Sequence, residues 1–365
     1  MSESWHKTIR KHLGRIVLLL NILSAIALWG CCLSTWLHPA VYPRLALVGL
    51  AFPVCLLICL SFIIVWAFVD YRRIWIPIVV IVPCTGYILD YCPASFSGSE
   101  VPDGCLKIVT WNTSNFGTEW EDKEEGKRLT IEYLENCDAD IICLQESGIW
   151  KDVINDFTNH MESTGYTFDR SNGTMLFSRL PVLQSETVDY ETHVENGARC
   201  NNSKWYMLLA GSDTILLVNN HLESNRLKRD IKKKYVETLD KPEYEGIRES
   251  GHSIGSRLKK STSLRGYQTD SLVNLVQRFD NLPTILCGDF NDTPISYTYQ
   301  RLSKVLKNAY RESGTGIGLS YNQKGFWVRI DHIFMSDDWK SYDTHIDNSI
   351  RTSDHYPLVS WLKLH

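Results

Sequence analysis

The stretch Ile285-Leu-Cys-Gly-Asp-Phe-Asn-Asp-Thr-Pro294 decides how the chain is read. It opens as a short apolar run of the kind that makes a buried strand. It then breaks into Gly-Asp-x-Asn and ends on Asp-x-Pro. Gly, Asp, Asn and Pro are the usual turn formers, so a plain turn accounts for the stretch taken alone. The same ending recurs, however. Val109–Asn112 closes on Asn112, Ile141–Glu146 on Glu146, and Leu216–His221 on His221. The stretch itself offers Asp289 and Asn291. "RID" adds Asp331, and "SDH" adds Asp354 and His355. Six such endings, each offering Asp, Glu, Asn or His, predict one rim where strand ends converge.

The chemistry of such a rim is narrow. Carboxylates and amides without cysteine ligands suit a hard divalent cation, Mg²⁺ or alternatively Mn²⁺, rather than a closed zinc site. Two histidines with nearby carboxylates suit proton transfer or phosphate stabilisation near neutral pH. Together these parts fit metal-assisted attack of water on phosphorus.

Around the rim, the chain of 365 residues divides by composition. Residues 1–91 hold three apolar runs, Ile16–Leu37, Leu45–Val69 and Ile74–Leu89, with no ionisable residue inside them. The first two are long enough to cross about 30 Å of hydrocarbon, and the third is marginal. Lys7, Arg10, Lys11 and Arg15 precede the first run, and Arg72 and Arg73 separate the second from the third. The positive-inside bias therefore predicts a cytoplasmic N terminus and an extracytoplasmic catalytic part, periplasmic if the source is bacterial. Residues 92–104, rich in Pro, Ser and Gly, read as a linker, and 105–365 as the catalytic domain.

Residues 1–91 carry 7 basic and 3 acidic side chains of the chain's 38 and 42, which leaves the rest at about −8. That balance disfavours non-specific polyanion binding, although a local basic patch could still hold one. Such a patch exists at Arg226–Lys234. It reads first as a solvated helix face and alternatively as a basic lip beside the site, touching a phosphate backbone or anionic lipid heads. The 11 cysteines show no Cys-x-x-Cys spacing and indicate no disulfide framework. Cys143 and Cys287 sit in strand-like runs and are expected in the core.

The ordered set "WN", "LQE", "NNH", "GDFND", "RIDHI" and "SDHYPL" resembles the endonuclease/exonuclease/phosphatase family over about residues 106–364. The resemblance implies an α/β fold, a two-sheet sandwich with helices outside both sheets, here preceded by the three-helix transmembrane segment. It also implies roles. Glu146 matches the principal metal-binding glutamate, Asn112 the asparagine that arranges metal and phosphate, and Asp354 the acid near the metal. Asp289 matches the aspartate that orients or deprotonates water, and Asn291 the amide that holds a phosphoryl oxygen. His355 matches the histidine on the scissile phosphate, Asp331 its orienting carboxylate, and His221 the histidine that protonates the leaving group or steadies phosphate. Ser114 stands where apurinic endonucleases place an aspartate, which weakens the case for a second metal and for DNA repair.

Around these residues the expectations are plainer. Asp292 and Pro294 are expected as turn residues, Asn219 and Asn220 as strand-end hydrogen bonders, and Trp111 as core. Helices are expected at Glu124–Asn136, Asp152–Met161, Leu264–Phe279 and Tyr297–Leu306. Arg265 and Gln268, at the start of the third, are candidates for substrate binding from an exposed polar face. The leading functional expectation is a nuclease-like phosphodiesterase. The alternatives are a phosphoesterase acting on lipid headgroups and a binding module that kept the fold. The substrate is thus a phosphodiester or phosphomonoester, of nucleic acid or lipid, and no obligate protein partner is evident.

Overall fold

The computed structural model describes residues 2–95, 100–118, 120–148, 151–171, 173–190, 202–227, 229–240 and 244–365. Residues 96–99 of the linker, Cys200 and Lys228, like the side chain of Arg229, lie outside the described part.

Among the described residues, twelve strands form two six-stranded sheets. The first contains β1 (Leu106–Asn112), β2 (Ile141–Gln145), β3 (Thr167–Ser171), β4 (Thr174–Ser178), β11 (Trp339–Ile346) and β12 (Leu358–Leu364), in the order β11-β12-β1-β2-β4-β3. The second contains β5 (Val182–Thr187), β6 (Lys204–Ala210), β7 (Asp213–His221), β8 (Thr284–Asp289), β9 (Lys307–Asn308) and β10 (Asp331–Met335), in the order β5-β6-β7-β8-β10-β9. Each sheet has one parallel pair at its centre, β1 with β2 and β7 with β8, flanked by antiparallel neighbours.

The two-residue period of a strand decides which side chains meet between the sheets. Ile108, Ile141, Cys143, Leu217, Ile285, Cys287, Ile333 and Met335 fill the inner core. The alternate residues point outward. Val109, Trp111, Ile142 and Leu144 pack on one flank with Leu134 and Phe157 from the helices Lys123–Asn136 and Lys151–Ser163. Leu216, Val218 and Leu286 pack on the other with Leu272, Val273 and Val276 of the helix Tyr244–Arg278. This is the expected α/β sandwich, with Trp111, Cys143 and Cys287 in its cores. Following the same period to the strand ends, Asn112, Asn219, His221, Asp289 and Asp331 continue the inward-facing rows. The apolar core therefore runs directly into a polar cap.

Registers bring that cap into line. His221 pairs with Asp289, and Asp289 with Asp331 across the antiparallel partner. Gly288 makes the close approach possible. Its φ is +139°, and a Cβ there would lie 1.9 Å from the carbonyl oxygen of Asn220. Any larger residue would push β7 and β8 apart, so the Gly of Gly-Asp is a packing requirement.

Among the described residues, three helices are long and apolar enough to cross a membrane: Lys11–Ser34, Pro43–Val69 and Tyr71–Tyr91. The third is not one continuous helix. A 3-10 turn at Val82–Cys84 interrupts it, where Pro83 cannot donate a backbone hydrogen bond. The bundle has distinct ends. Arg73 of the second turn reaches the Gly14 carbonyl at one end. At the other, His38 and Pro39 touch the helix Tyr244–Arg278 through Asp270 (3.3 Å) and Ser263 (3.1 Å). Asp90, at the close of the third helix, is buried against Gln300 (2.8 Å) and Arg311. The sandwich thus docks on the end that carries the first loop and the third exit.

Candidate active site

One oxygen organises the rim. Asp289 Oδ2 accepts from Asn112 Nδ2 at 3.0 Å and from Asn291 Nδ2 at 3.1 Å. His221 Nε2 lies 3.6 Å from it and His355 Nε2 3.8 Å. The other oxygen accepts the backbone N–H of Asn291 at 2.8 Å. The ends of β1, β7 and β8, with the loops after β8 and before β12, thus converge on a carboxylate that is 1% exposed. Asn291 reaches this position with φ +52°, a left-handed backbone that asparagine tolerates better than most residues.

Two histidines stand on opposite sides of neutrality. His355 Nδ1 lies 2.8 Å from Asp331 Oδ2. Burial works against its charge, but the Asp331 and Asp289 carboxylates outweigh burial and push its pKa up to about 10. His355 is therefore an imidazolium at neutral pH. His221 stands farther from its carboxylates, 3.6 Å from Asp289 and 3.7 Å from Glu146. Burial pulls its pKa below the ordinary imidazole value against the attraction of Asp289. Asp289 is in turn pushed upward by burial, opposed by the two histidines. The neighbouring His332 belongs to the core. Burial and Arg329 hold it down to about 3, and its Nε2 sits 3.0 Å from the Asp292 carbonyl.

Glu146 follows β2 directly at φ +45°, a left-handed conformation that is costly for a glutamate and turns its side chain out of the strand direction. That side chain is 38% exposed, which makes it the accessible carboxylate of the rim. Asp354 sits beside His355 and meets Lys232 Nζ at 3.2 Å. Burial opposes its ionisation, yet His355 and Lys232 hold its pKa below the usual carboxylate value. Below the rim, Gln145 donates to Asn219 Oδ1 (2.8 Å), and Asn219 donates to the Met175 carbonyl (2.8 Å). Ser203 donates to Asn220 Oδ1. The Gln145 and Asn219 amides tie the two sheets together, while Asn220 is held within the second, both as expected of strand-end hydrogen bonders.

The residues fit a hard cation. Asp289 and Asp331 offer carboxylate oxygens within 4.8 Å of one another and of a ring nitrogen of His355, which as an imidazolium has no lone pair to give a cation. Asp331 Oδ1 is buried and has no hydrogen-bond partner among the described residues. Glu146, Asn112 and Asp354, the donors expected from sequence, line the same rim. Asn112 is already committed in part, since its Oδ1 accepts the Ser114 N–H at 3.1 Å.

Several expectations change. Asp292 is not a turn residue in open solvent. It is buried and accepts from Thr298 Oγ1 (3.0 Å) and Arg265 Nε (3.3 Å). Arg265 and Gln268 do not begin an exposed helix face. The helix starts twenty residues earlier, at Tyr244, so both lie deep in its buried side. Arg265 also donates to the Glu223 carbonyl, Asn225 and Thr262. Gln268 accepts the Glu223 N–H at 2.8 Å. Both hold the segment after His221 in place. The basic run is likewise not uniformly solvated. Lys233 and Lys234 are exposed and lie near Glu237 and Glu249, but Lys232 faces the rim. Tyr321 has no motif to announce it. Its ring packs edge-on against His355 at 5.0 Å and lies under Lys232 at 5.1 Å. Ser353, which donates to the Asn112 carbonyl and accepts from the His355 N–H, is equally silent in sequence.

Known proteins share this architecture. The catalytic domain of human nocturnin, solved with a bound sulfate anion, is 18% identical with a TM-score of 0.51, covering 73% of this chain and 96% of that one. A conserved protein of Enterococcus faecalis, described as functionally unknown, is 16% identical with a TM-score of 0.50, covering 71% and 100%. An endonuclease/exonuclease/phosphatase family protein of Bacteroides thetaiotaomicron is 17% identical with a TM-score of 0.48, covering 72% and 98%. At such identities the likeness speaks to the fold alone. Among curated proteins no relative matches. A sequence model described only as a domain of unknown function matches residues 14–91, the apolar helices. The description "Endonuclease/Exonuclease/phosphatase family" attaches to the match over residues 109–355, which spans every rim residue from Asn112 to His355, and the chain belongs to that family.

Proposed function

We propose that this protein is a divalent-metal-dependent hydrolase of phosphoric esters, anchored in a membrane by its three N-terminal helices. The convergence of Asn112, Asn291, His221 and His355 on Asp289 carries the reading. The catalytic domain is residues 105–365, joined by the 92–104 linker to a membrane domain of residues 1–91. Arg72 and Arg73, at the far end of the bundle, support a cytoplasmic position for that end by the positive-inside bias, with the catalytic domain on the other side.

The ester is cleaved by water. A bond forms between the water oxygen and phosphorus, and the bond from phosphorus to the leaving oxygen breaks. The water proton passes to Asp289, whose raised pKa suits a proton acceptor and whose orientation is fixed by three hydrogen bonds. The imidazolium of His355, held by Asp331, donates to a phosphoryl oxygen and stabilises charge that grows in the transition state. Asn291 presents its amide to the same group. His221, neutral at rest, relays to the leaving oxygen the proton that Asp289 took from water, across the 3.6 Å between them. Glu146, with Asn112 and Asp354, would hold Mg²⁺ or Mn²⁺, which would neutralise phosphoryl charge when bound.

The test uses full-length protein in detergent and a chromogenic phosphodiester. EDTA should abolish turnover and Mg²⁺ or Mn²⁺ restore it. Calorimetry should show Mg²⁺ binding to the wild type and much weaker binding to Glu146→Gln. Full activity in EDTA would overturn the metal assignment.

A further inference from the structure

The rim opens into a cavity of about 530 Å³ whose walls come from both parts of the chain. Glu146, Asp289, Asn291 and His355 line it from the sandwich. Ala46, Leu47 and Leu50 line it from Pro43–Ala51, the segment that opens the second apolar helix. Leu227, Ile254 and Leu258 extend the apolar lining. A site for a small soluble phosphoester has no use for such a wall.

The junction is tight. A Cβ on Gly49 would lie 2.2 Å from the Ile295 carbonyl oxygen, so the apolar segment rests directly on the catalytic loop. Ile295 stands four residues after Asn291, and its side chain is buried in the core of the helix bundle with Leu28, Cys31 and Phe52. The loop that positions Asp289 and Asn291 is thus plugged into the membrane part at its other end. The wall also continues outward. Leu45 is 50% exposed and Leu50 44%, on a segment leading into a helix made mostly of Phe, Val, Leu and Ile.

We infer that the substrate is a phosphoester of a membrane lipid, whose phosphate reaches the Asp289–His355 rim while its hydrocarbon chain lies along Leu47 and Leu50. The inference rests on the phosphoesterase reading and names its substrate class. A nucleic acid fits less well. Among its described residues the basic run presents no continuous cationic track, because Lys232 meets Asp354 and Lys234 meets Glu249. Beyond the rim the polar lining is interrupted by Leu47, Leu50, Leu227, Ile254 and Leu258, and its arginines are already paired, Arg226 with Glu223 and Arg265 with Asp292, where a polynucleotide would need free cations along its backbone.

The experiment measures kcat/KM of the full-length protein in Mg²⁺ for alkyl p-nitrophenyl phosphodiesters with methyl, butyl and octyl chains. All are held below their aggregation concentrations. The reacting group is constant and only the chain changes. Wild type should gain with length, by up to about fourfold per methylene that becomes buried. In Leu47→Gln/Leu50→Gln the gain should flatten, and the octyl-to-methyl ratio fall by about tenfold or more, the worth of roughly two buried methylenes. Thermal unfolding confirms that the double variant is folded. Turnover of the methyl ester with no dependence on chain length would overturn the lipid assignment, as would an unchanged ratio in the variant. Absence of turnover for every ester would overturn the phosphoesterase reading, and the lipid assignment with it.

Discussion

Replacing Asp289 by asparagine removes one negative charge and almost no volume, yet it disturbs every bond at the centre of the rim. The native carboxylate accepts three hydrogen bonds, from Asn112 Nδ2, Asn291 Nδ2 and the Asn291 backbone. A carboxamide has one oxygen. If that oxygen keeps the backbone donor, its NH₂ faces two other NH₂ groups, and both lose their acceptor. Asn112 is 1% exposed and Asn291 8%, so water replaces little of the loss. Two buried donors left unsatisfied cost about 1–3 kcal/mol each in stability. The chemical effect is separate. The variant cannot take a proton from water, a loss on the order of 10²–10⁴-fold for a general base. At 1.36 kcal/mol per tenfold this is roughly 3–5 kcal/mol of barrier. Because the group acts in the transition state, kcat and kcat/KM should fall together with KM little changed. The assay pairs steady-state kinetics on a chromogenic diester with chemical unfolding of the same preparation. A folded Asp289→Asn variant within a few-fold of wild-type kcat would refute the role of Asp289 and the hub built around it.

The buried charges make two further outcomes testable. Arg265→Met leaves Asp292 buried without its cation and should lower stability by roughly 3–5 kcal/mol; Arg265→Met/Asp292→Asn should recover part of it. A stable Arg265→Met with a raised KM would instead return Arg265 to substrate binding. His355 is raised from 6.5 to about 10, so the stability it contributes is fully present below about pH 6.5 and lost as pH rises through 10. In metal-free protein the melting gap between wild type and His355→Gln should therefore be wide at acidic pH and narrow in strong alkali. A constant gap would show that the Asp331 pair does not hold a proton on His355.

Much of the rim was legible because strand periodicity and strand ends are local signals. An apolar run that stops on Asn, Glu, His or Asp says where its last inward side chain lies. Asn112, His221 and Asp289 are of this kind; Asp331 opens the inward row of β10 rather than closing one, and Glu146 lies one residue past the inward Gln145 and is re-aimed by its left-handed backbone. The structure adds what local signals cannot carry. Asp292 has the composition of a turn, and only the later Thr298 and the distant Arg265 make it a buried acid. Arg265 and Gln268 were misplaced because the charged segment before Leu264 lacks an apolar stripe strong enough to reveal one continuous helix. Lys232 was one cation among six until folding aimed it at Asp354. Tyr321 comes from a segment with no periodicity. The apolar wall of Leu47 and Leu50 depends on how two halves of the chain dock, and neither half encodes that alone.

The central claim is that this rim drives water onto phosphorus. Hydrolysis of a phosphodiester by the full-length protein in Mg²⁺ and ¹⁸O-labelled water, with mass spectrometry of both fragments, tests it directly. The label should appear on the phosphorus-bearing fragment of the wild-type reaction, and Asp289→Asn should form that product at least about a hundredfold more slowly. Label in the alcohol fragment, or product formed equally fast by the variant, would contradict the account.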